Sequence, residues 1–223
     1  MEWQENFYSL NTHIFTMSHW LEKFLKSQGK YDVHYVGAGA NIPAITQNNI
    51  LRNNHTALFI GHDFYRKGGD IVIEAFKKLH TEDPKFRLII AGPEEIPNKY
   101  QNISGMQFLG PINYSQVSRL MKQATFFVMP SRFEAFGLVF VEAMENGLPI
   151  IARNCFEMPY FVKEGSGILI NPGNDEIQQT YQAMKEIFNN LIFQKMAEQK
   201  ANEITESYSW DSVAKRMLQI IQK

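Results

Sequence analysis

Two glutamates separated by seven residues, Glu134 and Glu142, stand in the run PSRFEAFGLVFVEAMENGLP from Pro130 to Pro149. A carboxylate accepts hydrogen bonds from two neighbouring hydroxyls at once, so acids are the usual readers of sugar diols. One of this pair suits the sugar side of a bound nucleotide sugar and the other its ribose. Gly137, between them, lets a ring or a phosphate approach the main chain where a Cβ would obstruct it. The helix that follows offers first-turn N–H groups without intrahelical partners, together with the positive end of its dipole, to an anion. A second run, FIGHDFYRKGGDIVIEAF from Phe59 to Phe76, carries the adjacent cations Arg66 and Lys67 ahead of two glycines. A guanidinium fork stays charged and matches phosphate oxygens. Taken alone, each pattern is also that of a solvated helix face or a basic surface turn.

The elements that must position these residues are legible in the hydrophobic pattern. Thr125 to Met129 is an apolar, aromatic run of strand type that ends at Pro130 and Ser131. After Gly137 the spacing turns helical through Leu138, Val141 and Met144 or Glu145, until Gly147 and Pro149 stop it. Further strands are expected at Ala57–Ile60, Arg87–Ala91, Gln107–Leu109, Pro149–Ala152 and Gly167–Ile170. Helices are expected at Gly69–His80, at Tyr114–Gln123, from Asp175 onwards and from about Trp210. Such alternation implies a parallel sheet covered on both faces, which binds ligands beyond the carboxyl ends of its strands. Lys67 and Glu134 both follow a strand end.

Composition excludes several classes. With 44% hydrophobic and 20% charged residues over 223 positions, the chain can bury a substantial core. A formal net charge of -1 gives no broad field for nucleic acid. The single cysteine, Cys155, excludes an intrachain disulfide and fits a reducing compartment. No apolar stretch is long enough to span a bilayer, and MEWQENFYSL lacks the basic start and apolar run of a signal peptide, so the expected location is cytoplasmic. GAGANI, Gly37 to Ile42, lacks the third glycine of a dinucleotide fingerprint and is read as a hinge instead. His13 and His19 read as packing or surface histidines. No Asp-x-Asp occurs, so a metal bridging a diphosphate is not indicated.

Several ordered motifs together carry a family resemblance. EAFGLVFVE resembles the E-x7-E signature of retaining glycosyltransferases of the GT-B class, family 4 or group 1. Gly61 and Lys67 keep the spacing of that family's phosphate-binding loop. AG at Ala91 and Gly92, FLGPI from Phe108 to Ile112, PSRFE and SWDSVAKRM from Ser209 to Met217 fall at the expected intervals. The chain departs from the commoner pattern at His62, where that family has arginine after the strand-ending glycine, and Arg66 is the candidate replacement.

The resemblance implies a Rossmann-like doubly wound α/β domain, the donor-binding half of a GT-B fold. Residues 45–207 would form it, residues 1–44 would be a strand, helix and strand left from the acceptor-side domain, and residues 208–223 a helix returning toward that domain. The implied reaction moves a hexosyl unit from a nucleoside diphosphate sugar, UDP favoured over GDP, to an acceptor glycan or lipid-linked sugar with retention, in polysaccharide, lipopolysaccharide or glycoconjugate synthesis. Glu134 would be the catalytic residue; Arg66, Lys67, Phe136, Gly137, Leu138, Glu142 and Ile112 would bind the donor, the last through its backbone to the base. No cofactor or metal is implied. The acceptor domain would be missing or supplied by another chain, leaving this chain incomplete for turnover, and that domain would bring the enzyme to the inner face of the membrane. The competing expectation is a non-catalytic nucleotide-sugar-binding module or a subunit of a split transferase.

Overall fold

A computed structural model describes residues 12–29, 31–41, 55–162 and 165–222. The expected domain boundary near residue 44 lies outside them, as does all of MEWQENFYSL.

The larger sheet has six strands: β3 (Thr56–Ile60), β4 (Arg87–Ala91), β5 (Met106–Phe108), β6 (Phe126–Met129), β7 (Ile150–Arg153) and β8 (Gly167–Ile170). Their spatial order is β5-β4-β3-β6-β7-β8, and every pairing is parallel. The chain therefore winds outward from β3 in one direction, returns to the middle and winds outward from β6 in the other. That reversal between β3 and β6 is the topological switch point at which open α/β sheets bind ligands. The strands read as continuous apolar runs because both faces are covered, and Leu58, Phe59, Leu88, Ile90, Phe126, Phe127, Ile150 and Ile151 are all fully buried. Each buried side chain of this size contributes about 1.5–3 kcal/mol.

The covering helices are α2 (Gly69–Glu82), α3 (Tyr114–Gln123), α4 (Leu138–Glu145), α5 (Met158–Phe161), α6 (Glu176–Asn189) and α7 (Ile192–Ser207). Strand limits differ from the hydrophobic pattern by at most one residue at either end. Helix α3 begins with a capping box, in which the Asn113 side chain accepts from Gln116 N at 3.0 Å and Gln116 Oε1 accepts from Asn113 N at 2.9 Å. The helix expected from Asp175 onwards is two helices. Asn190 adopts extended backbone (φ -130°, ψ 98°), and its side chain accepts from Ile192 N at 3.1 Å to restart the chain as α7.

Before this sheet lie β1 (Ile14–Thr16), α1 (His19–Gln28) and β2 (Val33–Tyr35), with β1 parallel to β2. This unit is fastened to the larger one through a fully buried carboxylate. Glu157 accepts from Ser18 Oγ at 2.9 Å and Trp20 N at 3.1 Å, and lies 2.7 Å from His19 Nδ1. His19 is thus a packing residue, stacked between Tyr35 and Tyr160 at centroid separations of 3.5 and 4.4 Å. The last helix, α8 (Trp210–Ile221), packs on the strap at residues 36–41. Arg216 Nε donates to Val36 O at 2.6 Å, and Ala40 N donates to Tyr208 O at 2.8 Å.

Candidate functional site

The loops after β3 and β6 meet at the switch point and are sewn together. Arg132 N donates to Arg66 O at 2.7 Å, and Ser131 Oγ donates to Arg66 O at 3.3 Å. Arg132 also sends a fork to Asp70, at 2.7 and 2.8 Å, pinning the second loop to the start of α2. The approach requires glycine at position 68: its φ is +80°, and a Cβ there would lie 2.5 Å from Pro130 O. With the loops in this register, the Lys67 ammonium donates to the Glu134 carboxylate, both side chains being largely buried.

A cavity of about 620 Å³ opens above the carboxyl ends of these strands. It is bordered by Gly61, His62, Arg66, Lys67, Ile112, Glu134, Gly137, Leu138 and Glu142, among others. Seven of the eight candidate site residues thus share one cavity. Phe136 is the exception: its ring is buried in the core, edge-on to Phe161 at 5.4 Å, which leaves only its main chain for a ligand. Arg66 lies at the exposed rim, where Nε donates to Asp63 Oδ2 at 3.1 Å and Nη1 to Phe133 O at 3.0 Å.

Helix α4 starts at Leu138, behind Gly137 in the left-handed region (φ +91°), and no side chain caps it. Phe140 N already bonds Gly137 O at 2.9 Å, so the amides placed to meet an anion are those of Leu138 and Val139, one residue beyond the stretch expected. The helix buries its acids. Desolvation pushes the Glu142 carboxyl above its ordinary range, against a hydrogen bond from the Asn41 main-chain amide that lowers it. Burial, then the negative charge of Glu142, pushes Glu145 up to about 7, and its Oε2 is buried without a hydrogen-bond partner.

Asn113, Tyr114 and Val117 also border the cavity. They follow the FLGPI run at the end of β5, and their position beyond a strand terminus is the signal that identifies them. The Asn113 side chain is occupied in capping α3, whereas Tyr114 is exposed.

Residues 43–205 match the family described as glycosyl transferases group 1. The chain is 29% identical over 168 residues to the phosphatidylinositol N-acetylglucosaminyltransferase gpi3 subunit of Schizosaccharomyces pombe, the alignment covering 72% of this chain and 36% of that protein. It is 35% identical over 158 residues to the GDP-mannose:cellobiosyl-diphosphopolyprenol alpha-mannosyltransferase of Xanthomonas campestris, covering 65% and 37%. The chain therefore spans less than half the length of these relatives. Its fold is that of part of sucrose-phosphate synthase from Thermosynechococcus elongatus, with a TM-score of 0.78 at 20% identity, over 98% of this chain and 60% of the other. Among the described residues no helix is long and apolar enough to cross a membrane. Through the family match and the parallel α/β architecture alike, the chain belongs to the group 1 glycosyl transferases.

Proposed function

We propose that this chain is the donor-binding half of a retaining transferase, holding a nucleoside diphosphate sugar in the cavity at the switch point. The carrying observation is the convergence there of Lys67, Glu134, Glu142 and the uncapped start of α4. The diphosphate lies against the Leu138 and Val139 amides, with Lys67 as its principal cation and Arg66 at the rim. As the bond to the anomeric carbon breaks, negative charge grows on the β-phosphate. Fixed donors aimed at such charge contribute roughly 2–4 kcal/mol each, by analogy with oxyanion holes. A phosphate that takes the Lys67 ammonium frees Glu134 to accept from hydroxyls of the donor sugar and to face the positive charge developing on its ring. Glu142 accepts from the ribose, and the Ile112 backbone meets the base.

The acceptor is a glycan or a lipid-linked sugar, consistent with the diphosphopolyprenol and phosphatidylinositol named for the two relatives. It is bound by a second half that also brings the enzyme to the membrane face. The gpi3 relative is named as a subunit, which favours a second reading, a nucleotide-sugar-binding subunit that turns over only with its partner.

Calorimetry with UDP and GDP tests the donor site. One nucleotide binds with measurable heat, and Lys67→Ala weakens the diphosphate far more than the nucleoside. No heat from either nucleotide at millimolar concentration, or equal losses for diphosphate and nucleoside, would overturn the assignment. The anomeric configuration of the product, followed by NMR with the acceptor half present, tests retention.

A further inference from the structure

The small β1–β2 sheet carries His13, Asp32 and His34 in or beside its strands, none of which borders the cavity at the switch point. In its parallel register Ile14 pairs with Val33 and Phe15 with His34. Side chains alternate along a strand, so His13 and Phe15 share a face of β1, and Asp32 and His34 share a face of β2. The Ile14 amide donates to Asp32 O at 2.8 Å and fixes the two strand starts side by side. His13, Asp32 and His34 are thereby gathered on one face by backbone pairing.

Their contacts are close and arranged around one carboxylate. His13 Nδ1 stands 2.6 Å from Asp32 Oδ2, and His34 Nε2 stands 2.6 Å from Asp32 Oδ1. The two imidazoles meet edge to face at 5.6 Å between centroids. One ligand atom from each residue lies within 4.8 Å of the others. The His34 Nε2 atom is shielded from solvent, whereas the His13 and Asp32 side chains are 43% and 51% exposed, so one side of the cluster is open.

We propose that His13 Nδ1, Asp32 and His34 Nε2 form a binding site for one divalent transition-metal ion of the zinc class. Two neutral imidazoles and one carboxylate are the donor set that such borderline ions select, whereas magnesium and calcium want oxygen. Zinc at about 2.0–2.2 Å from each donor sets neighbouring donors on the order of 3.3 Å apart. The donors stand 2.6 Å apart and need open only to that separation, which rotation of the exposed Asp32 and His13 side chains supplies. The open side leaves a fourth position to solvent, and the bound ion staples the start of β1 to β2.

The test is titration of the full chain with zinc alone, in calorimetry and by competition with a chromophoric chelator. One zinc per chain is expected, bound on the order of tenfold or more weaker in His13→Ala, His34→Ala and Asp32→Asn, with magnesium and calcium giving no uptake. Zinc is also expected to raise the Tm of the parent chain by roughly 3 °C or more and to leave that of His34→Ala unchanged. Histidine ring ¹⁵N resonances provide a readout that needs no variant, since those of His13 and His34 move together on titration. Absence of stoichiometric uptake, or affinity in the three variants equal to that of the parent chain, would overturn the site, the latter by placing the ion elsewhere on the chain.

Discussion

The Lys67 ammonium and the Glu134 carboxylate meet although they stand 67 positions apart in sequence, because β3 and β6 are neighbours at the centre of the sheet. Their side chains are only 14% and 12% exposed, so removing one partner strands a poorly solvated charge. Lys67→Ala and Glu134→Ala are each expected to lower stability by about 1–3 kcal/mol. The double variant should lose less than the sum. A double-mutant cycle in urea checks this, and simple additivity would show that the pair is not coupled.

Glu142→Ala removes a buried acid that borders the cavity and is proposed to accept from the ribose. The expected outcome is roughly tenfold weaker binding of the nucleoside diphosphate, a loss of about 1.4 kcal/mol, with affinity for inorganic pyrophosphate unchanged. Parallel losses for both ligands would move the acid away from the ribose.

Gly137 has φ +91°, and a Cβ there would lie 2.8 Å from Phe140 Cδ2 and 3.0 Å from Glu134 Cγ. Gly137→Ala is therefore expected to cost about 1–3 kcal/mol in denaturant unfolding. It should also weaken nucleotide binding by displacing Glu134 and the start of α4. Wild-type stability in that variant would contradict the left-handed start.

Glu145 supplies a pH signature. In the folded chain its carboxyl holds its proton up to about 7, whereas the ordinary value is 4.5. Between these values the folded state binds more protons than the unfolded one, so this group's contribution to stability falls as pH rises and levels off above about pH 7. Glu145→Gln should then stabilise the protein at pH 8 by on the order of 1–2 kcal/mol and make little difference at pH 4. Thermal melts across this range read the difference, and the reverse order would mean that the ionised form is favoured by folding.

Much of this fold is readable from periodicity. Runs such as ALFI, LIIA and FFVM are apolar throughout because a doubly covered parallel strand has no solvent face, and glycines and prolines mark where each ends. Lys67 and Glu134 are recoverable for a related reason, since both stand in loops that follow such runs, whereas Glu142 lies inside α4 and is reached only through its spacing from Glu134. Other features depend on contacts that local pattern does not carry. The break at Asn190 rests on one side-chain hydrogen bond, and the second helix after it carries a mostly exposed, mixed pattern. Phe136 sits in the signature run, yet the turn at Gly137 directs its ring into the core. Nothing local to Glu157 announces a buried carboxylate, because its partners Ser18, His19 and Trp20 lie more than 130 residues upstream.

The short strap at residues 36–41 joins two distant parts of the molecule. At one end Asn41 donates its amide to Glu142. Along its length it is gripped by the final helix, through Arg216 on Val36 and through Trp210, whose indole lies so close over Gly39 that a Cβ there would stand 2.6 Å from Cγ. The final helix therefore contacts, through these six residues, an acid that borders the cavity at the switch point. If the proposed donor site is right, sequence changes near the carboxyl terminus reach it without touching the ligand.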